Sequence, residues 1–231
     1  MTEDRSRIID QLADAITAQP CRHTLRVGID GRSASGKTVL ADELVEPIER
    51  RGRPVIRASI DGFHHPRQVR YAAGHSPAAY YRDSFDTGAI RRCVLDPLGP
   101  HGDGAYRPAA FDFRTDAAVH APIEQAAADA VLLFEGVFLM RPELDDAWDY
   151  RILVEASVDV TLTRAVERDR TLFGDAEAVR RRYVDRYVPG QQRYRDQVRP
   201  QDRADAIVLN DDVDRPQLLW SAQRAGVGTI T

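Results

Sequence analysis

The stretch Val27–Leu44, VGIDGRSASGKTVLADEL, carries the pattern G-x-x-x-x-G-K-[ST] at Gly31 to Thr38. An apolar segment, Thr24 to Asp30, leads into it and reads as a strand. Lys37 to Arg51 follows and reads as a helix, with Val39, Leu40, Leu44 and Ile48 spaced along one face. A strand, a glycine-rich turn and a helix, in that order, is the setting in which this pattern holds phosphate. Glycines let the backbone close on oxygen atoms, the amide N–H groups point at the anion, and the helix N-terminus adds positive potential. Gly31, Ser33, Ala34, Ser35, Gly36, Lys37, Thr38 and Val39 are therefore expected around a nucleoside triphosphate such as ATP. Lys37 would reach the β- and γ-phosphates, and the Thr38 hydroxyl would ligate Mg2+.

The rest of the chain alternates strand and helix signals. Pro54–Ile60, the start of Ala130–Met140, Tyr150–Ala156 and Ala204–Asn210 read as strands, and the unbroken apolar run AVLLF suits a strand buried on both faces. Arg7–Ala18, Thr87–Leu95, Val158–Leu172 and Ala176–Tyr187 read as helices. Asp61–Asp86 reads as loop, and Asp96–Phe111 as a turn-rich segment with an extended end. The expected fold class is α/β: a three-layer αβα phosphate-loop architecture on a parallel sheet, with a small substrate lobe inserted at about residues 62–120. The 231 residues suit one domain, 1–231, with its core at about 24–210.

Composition narrows the partners. The net charge of −4 offers no basic excess for nucleic acid or an anionic membrane surface. The charged N-terminus is no signal peptide, and no apolar run nears the ~20 residues of a membrane span, so the expected location is cytoplasmic. Cys21 and Cys93, far apart and without metal spacing, suit buried thiols in a reducing compartment.

A phosphate loop alone does not say where the phosphate goes. The chain has no N/T-K-x-D guanine-reading segment and no L-S-G-G-Q stretch. Transfer to a small acceptor then needs a carboxylate near the γ-phosphate. Asp61 falls at the end of the second strand, at the sheet edge where ligands bind. Alone it reads equally as a turn cap; beside the phosphate loop it reads as a base. Glu135 ends the apolar run at the position where an acid binds Mg2+ directly or through water.

In order along the chain stand the phosphate loop, SIDGFHHP, FDFRTD, LLFEGV, ILVEASVDVTLTRAVERD and YVPGQQRYRDQVRPQDRADAIV. This series, over Leu25 to Asn210, resembles the uridine kinase, pantothenate kinase and phosphoribulokinase family of phosphate-loop kinases. The resemblance implies that Asp61 is the catalytic base, that Thr38, Glu135 and Asp61 surround Mg2+, and that an arginine-rich lid at about 158–188 closes over ATP with Arg164 and Arg168. The other arginines, Arg170, Arg180, Arg181 and Arg182, read as a solvated face paired with Glu167, Asp169 and Asp175. The acceptor-reading segments depart from the uridine kinase pattern. Phe111 stands for a Tyr, Asp116 for a His, Tyr80 for a ribose-contacting Asp and Ala165 for a second lid arginine. His64, Tyr80, Tyr81, Asp86, Phe111 and Phe113 are the candidate contacts for a small-molecule alcohol. His64 and His65, adjacent in a loop, do not make a metal pair. A nucleoside such as uridine or cytidine, phosphorylated at its 5′-hydroxyl, is the first expectation. Pantothenate or a sugar-like alcohol is the second, and a nucleotide-binding regulator that hydrolyses ATP slowly is the reading from another class. A homo-oligomer is left open.

Overall fold

The computed structural model describes residues 2–221, apart from the side chains of 172 and 173; of the expected 1–231 domain, residues 1 and 222–231 lie outside the described residues. Six strands form the main sheet: β1 (Leu25–Gly31), β2 (Val55–Ser59), β3 (Val131–Gly136), β4 (Tyr150–Glu155), β5 (Ala206–Leu209) and β6 (Gln217–Trp220). Their order is β6-β5-β4-β1-β3-β2. Neighbours from β2 to β5 run parallel, and β6 adds an antiparallel edge against β5. The sequence signals for β1 to β5 are met to within two residues; β6, following the turn at 211–216, is not foreseen by them.

Period-two alternation sorts the two faces. Val131 and Leu133 point into a core with Val27, Ile29, Ile152 and Val154 of the sheet, closed by Ile9, Leu12 and Ile16 of α1 (Glu3–Thr17). Leu40 of α2 (Lys37–Glu43) and Ile48 of α3 (Val45–Arg50) complete that face. Leu132 and Phe134 point the other way, into a core with Phe63, Phe85, Ile90, Leu95, Phe138 and Trp148. The single helix expected over Lys37–Arg51 is thus two. Pro47 has no N–H for a continuing helical bond, but it is tolerated in the first turn of a new helix starting at Val45. Val39 leaves the apolar face and is 54% exposed.

Asp61–Asp86 is not simply a loop. A 3-10 turn covers Ile60–Phe63, a helical turn Arg67–Arg70, and α4 spans Pro77–Asp83. Ser76 caps α4 by accepting from the Ala79 N–H, and Pro77 occupies the first turn, where its missing donor costs nothing. Asp86 likewise caps Thr87–Ile90, which runs on through a π-helical turn at Arg91–Leu95. Beyond β4, α5 (Val158–Phe173) is capped by Ser157 and α6 (Ala176–Arg182) by Asp175. A π-helical turn at Tyr183–Tyr187 leads into α7 (Val188–Val198), which lies beyond the helix expected to end at Tyr187. Both cysteines are half-buried and free rather than fully buried.

The centre of β1 is tightly packed. A Cβ on Gly28 would lie 2.8 Å from the Trp148 ring, and the Trp148 indole is itself fixed by donating to the Leu139 carbonyl at 2.8 Å. Gly28→Ala should therefore destabilise the protein by about 1–3 kcal/mol, the usual range for core overpacking, and thermal denaturation should show a Tm several degrees lower.

Candidate active site

Parallel register brings the chemistry to one edge. Ile29 is level with Glu135, and Asp30 with Gly136; Ser59, two residues before Asp61, is also level with Glu135. The phosphate loop therefore leaves the sheet beside both acids.

The loop's shape is held from outside. Gly36 has φ +103, and a Cβ there would collide with the Asn210 amide; a Cβ on Gly31 would collide with the Val154 carbonyl. Ala34 is also left-handed, at φ 62, an uncommon conformation for a residue with a side chain. The Asn210 amide donates to the Ser35 carbonyl at 2.7 Å and accepts from the Arg5 guanidinium at 3.1 Å. Arg5, on α1, also grips Glu43 at 2.7–3.0 Å. Below the loop, the buried Asp30 carboxylate accepts from the backbone N–H groups of Gly31, Leu139 and Met140 and from the Tyr194 hydroxyl. Burial pushes its pKa up, against the pull of those donors and of Lys37.

Lys37 is the only lysine in the sequence. It is 6% exposed, and its ammonium donates to the Arg32 carbonyl at 2.7 Å. Burial lowers its pKa, opposed by the negative charges of Glu135, Asp30 and Asp61. Asp61 lies in the same cleft as Lys37, Thr38 and Glu135. Crowding by the cleft walls raises the Asp61 pKa, while Lys37, Arg168 and Arg114 lower it. The residue is nonetheless open to solvent, so the shift belongs to a narrow wet cleft and is weaker than dry burial would impose. Two carboxylates and a hydroxyl at the mouth of an amide cradle form a hard-oxygen set of the kind Mg2+ prefers, and the buried Ser35 hydroxyl in the cradle has no protein partner. These residues fit Mg·ATP.

Two hollows meet over the loop. One, of about 580 Å³, runs from Lys37 and Thr38 past Asp61 to His64, Tyr80, Phe85, Phe113 and Tyr187. The other, of about 690 Å³, runs from Gly36, Lys37, Thr38 and Val39 past Arg164 to Asn210 and Val213. Ala34 and Arg168 border both. Arg164 donates to the carbonyls of Asn210 and Asp211, each at 2.9 Å. Arg168 lies against its neighbour Asp169 at 2.7 and 3.1 Å and reaches the Tyr183 hydroxyl at 3.2 Å.

Half of the expected acceptor set is brought together: His64, Tyr80 and Phe113 line the cleft with the phosphate loop. The other half is not. Tyr81 turns away and packs on Phe138 and Tyr194 under the Arg141 guanidinium. The Asp86 carboxylate caps its helix by accepting from the Ala89 N–H at 2.8 Å. Phe111 pairs with Ala118 in a two-residue ladder outside the cleft lining. Asp116, with φ 55, accepts from the Arg67 N–H and from Arg70, so it serves the lobe's own fold. Arg182 is no solvated bystander: it donates to the hydroxyls of Tyr187 at 2.7 Å and Tyr71 at 2.8 Å. Arg114, Asp169, Tyr183 and Tyr187 border the cleft without having been singled out for it. A lone arginine in a turn, or tyrosines in an arginine-rich helix, carry no local pattern that would have marked them.

The lowered pKa of Lys37 leaves more of its amine neutral than an exposed lysine would have. An anionic amine-reactive aldehyde followed by borohydride should label one lysine, Lys37, and saturating Mg·ATP should block the labelling; peptide mass spectrometry reads both results.

Residues 26–213 match the Phosphoribulokinase / Uridine kinase family. Uridine-cytidine kinase 2-B of Danio rerio is 28% identical over 173 residues, covering 71% of this chain and 65% of that protein. Uridine kinase-like protein 5 of Arabidopsis thaliana is 24% identical over 210 residues, covering 85% of this chain and 43% of that one, so the chain spans less than two thirds of either relative. Among solved structures, a protein described as a possible uridine kinase from Bacillus stearothermophilus superposes with a TM-score of 0.69 at 23% identity, covering 87% of this chain and 97% of its own. D-glycerate 3-kinase from Cryptococcus neoformans gives 0.59 at 13%, with 92% and 99% covered. At such identities these structures speak for the fold. The match over 26–213 goes further: the chain belongs to the phosphoribulokinase/uridine kinase family.

Proposed function

We propose that the protein is a kinase that transfers the γ-phosphoryl group of Mg·ATP to a hydroxyl of a small molecule. The observation that carries this reading is the Asp61 carboxylate sharing one cleft with Lys37, Thr38 and Glu135. Asp61 accepts the acceptor's hydroxyl proton, and its raised pKa suits a base. Lys37 and Arg168 stabilise charge on the transferring group. Thr38, Glu135 and Asp61 would hold Mg2+, which would supply positive charge against the triphosphate. The segment at about 158–188, carrying Arg164 and Arg168, acts as a lid that excludes water, over a single core at about 24–210 with an acceptor lobe at about 62–120. A regulator that only binds nucleotide has no need of an acid at residue 61.

The first acceptor class is a nucleoside such as uridine or cytidine, phosphorylated at the 5′-hydroxyl. The names of the relatives support it, and so does the aromatic wall. The His64 ring lies 4.5 Å from Phe85 and 4.8 Å from Phe113, centroid to centroid. Desolvation lowers the His64 pKa to about 4, so the ring is neutral at pH 7. Its Nδ1 faces the Asp61 carbonyl at 3.1 Å; a carbonyl only accepts, so Nδ1 carries the proton and Nε2 is left as an acceptor. A second reading, an alcohol bearing an acid group such as pantothenate or an acidic sugar derivative, has one observation in its favour. Arg114 borders the cleft, stacks over Phe113 at 5.8 Å, and its guanidinium is in no ion pair among the described residues.

The test is an ADP-release screen over nucleosides, pantothenate and sugars, with wild type and Asp61→Asn. One acceptor should drive ADP release, and Asp61→Asn should cut that release by about 10²–10⁴ while ATP still binds. Near-normal turnover in the variant would overturn the base assignment. The sign of the pKa shift adds a second readout. A carboxylate with a raised folded pKa costs stability above its unfolded value of 3.8, so Asp61→Asn should raise Tm at pH 7 and lose that advantage as the pH falls through the folded pKa.

A further inference from the structure

We propose that Gln191 is a positioning residue that ties the acceptor wall to the phosphate loop, so that nucleotide on the loop orders α4. The proposal rests on the phosphate loop binding a nucleoside triphosphate. Gln191 lies on α7 and is 4% exposed. Its amide nitrogen donates to the Ser33 hydroxyl at 2.8 Å and faces the Tyr80 hydroxyl at 3.5 Å. Through Gln191, three side chains from the phosphate loop, α4 and α7 form one polar knot. Ser33 and Tyr80 both border the cleft, and Gln191 stands behind them.

α7 is fastened to the loop's end of the molecule at several points. Arg32 donates to Gln192 at 2.8 Å, Arg195 pairs with Glu155 at 2.6 Å, and the Tyr194 hydroxyl donates to Asp30. Against α4 it packs closely, with the Tyr81 ring 5.7 Å from that of Tyr194. A Cβ on Gly190 would lie 2.7 Å from the Tyr80 ring and 2.9 Å from the Pro77 carbonyl, so α7 seats directly on both at this point. The next residue, Gln191, supplies the polar link. With the Ser33 oxygen accepting from Gln191, the Ser33 proton is left to a phosphate oxygen. A triphosphate that draws this hydroxyl strengthens the other bonds in the knot, and the gain falls on Tyr80 and hence on α4.

Hydrogen exchange tests this without any acceptor. Addition of Mg·AMP-PNP should slow exchange of the α4 amides, residues 78–83, on the order of tenfold in wild type, within the ordinary range of site–site coupling. Calorimetry run in parallel reports whether the nucleotide binds. Gln191→Leu should bind it and lose the protection of 78–83, with the exchange of β1 and β3 unchanged. Tyr80→Phe, which keeps the ring and deletes the hydroxyl, should lose the same protection and carries the test if the leucine variant fails to fold. The double variant should be no worse than either single one. Nucleotide binding without protection of 78–83 in wild type, or protection retained in both single variants, would overturn the coupling and leave the kinase reading standing. Failure of wild type to bind Mg·AMP-PNP would overturn both.

Discussion

The parallel register of β2, β3 and β1 is the constraint on which everything else depends. Slipping β3 by one residue would exchange Val131 and Leu133 for Leu132 and Phe134 between two differently shaped cores. With that slip barred, Glu135 has to end level with Ile29, two residues short of the phosphate loop's first glycine, and Ser59 has to stop beside it. The acids of the cleft owe their height above the loop to hydrophobic packing far below them.

On this frame the charges are balanced by burial rather than by close pairing. No ion pair within 4.0 Å links Lys37 to a carboxylate among the described residues; Glu135, Asp30 and Asp61 act on it at longer range. Burial drives the lysine and the aspartates toward neutrality, and their opposite charges hold them back. Such a site is tense before any ligand arrives, and a multiply charged ligand with its cation relieves it.

What the sequence showed depended on how local the signal was. The phosphate loop, Asp61 and Glu135 sit at strand ends, where a few residues of apolar pattern followed by a turn place a side chain. The acceptor wall has no such pattern. Tyr80 and Tyr81 are adjacent, and only the presence of α4, hidden when Asp61–Asp86 reads as loop, decides that one borders the cleft and the other packs under Arg141. Phe111 and Phe113 are two apart and would share a face in a strand, but the ladder stops at Asp112, which accepts from the Arg114 N–H and turns the chain. The braces were least visible of all. Gln191, Asn210 and Tyr194 reach partners 158, 175 and 164 residues away, and nothing nearby in the chain announces them.

The pairing of Arg168 with its own neighbour bears on fidelity. Two of the guanidinium's nitrogens already rest on Asp169, and one of these also meets the Tyr183 hydroxyl. A cation so engaged is a muted one: its surplus of charge reaches the terminal phosphate only where the surroundings are dry enough to strengthen it. In the proposed reaction an idle enzyme with an open, wet cleft would gain little from it, so wasteful spending of ATP on water would be kept slow until a genuine acceptor fills the space.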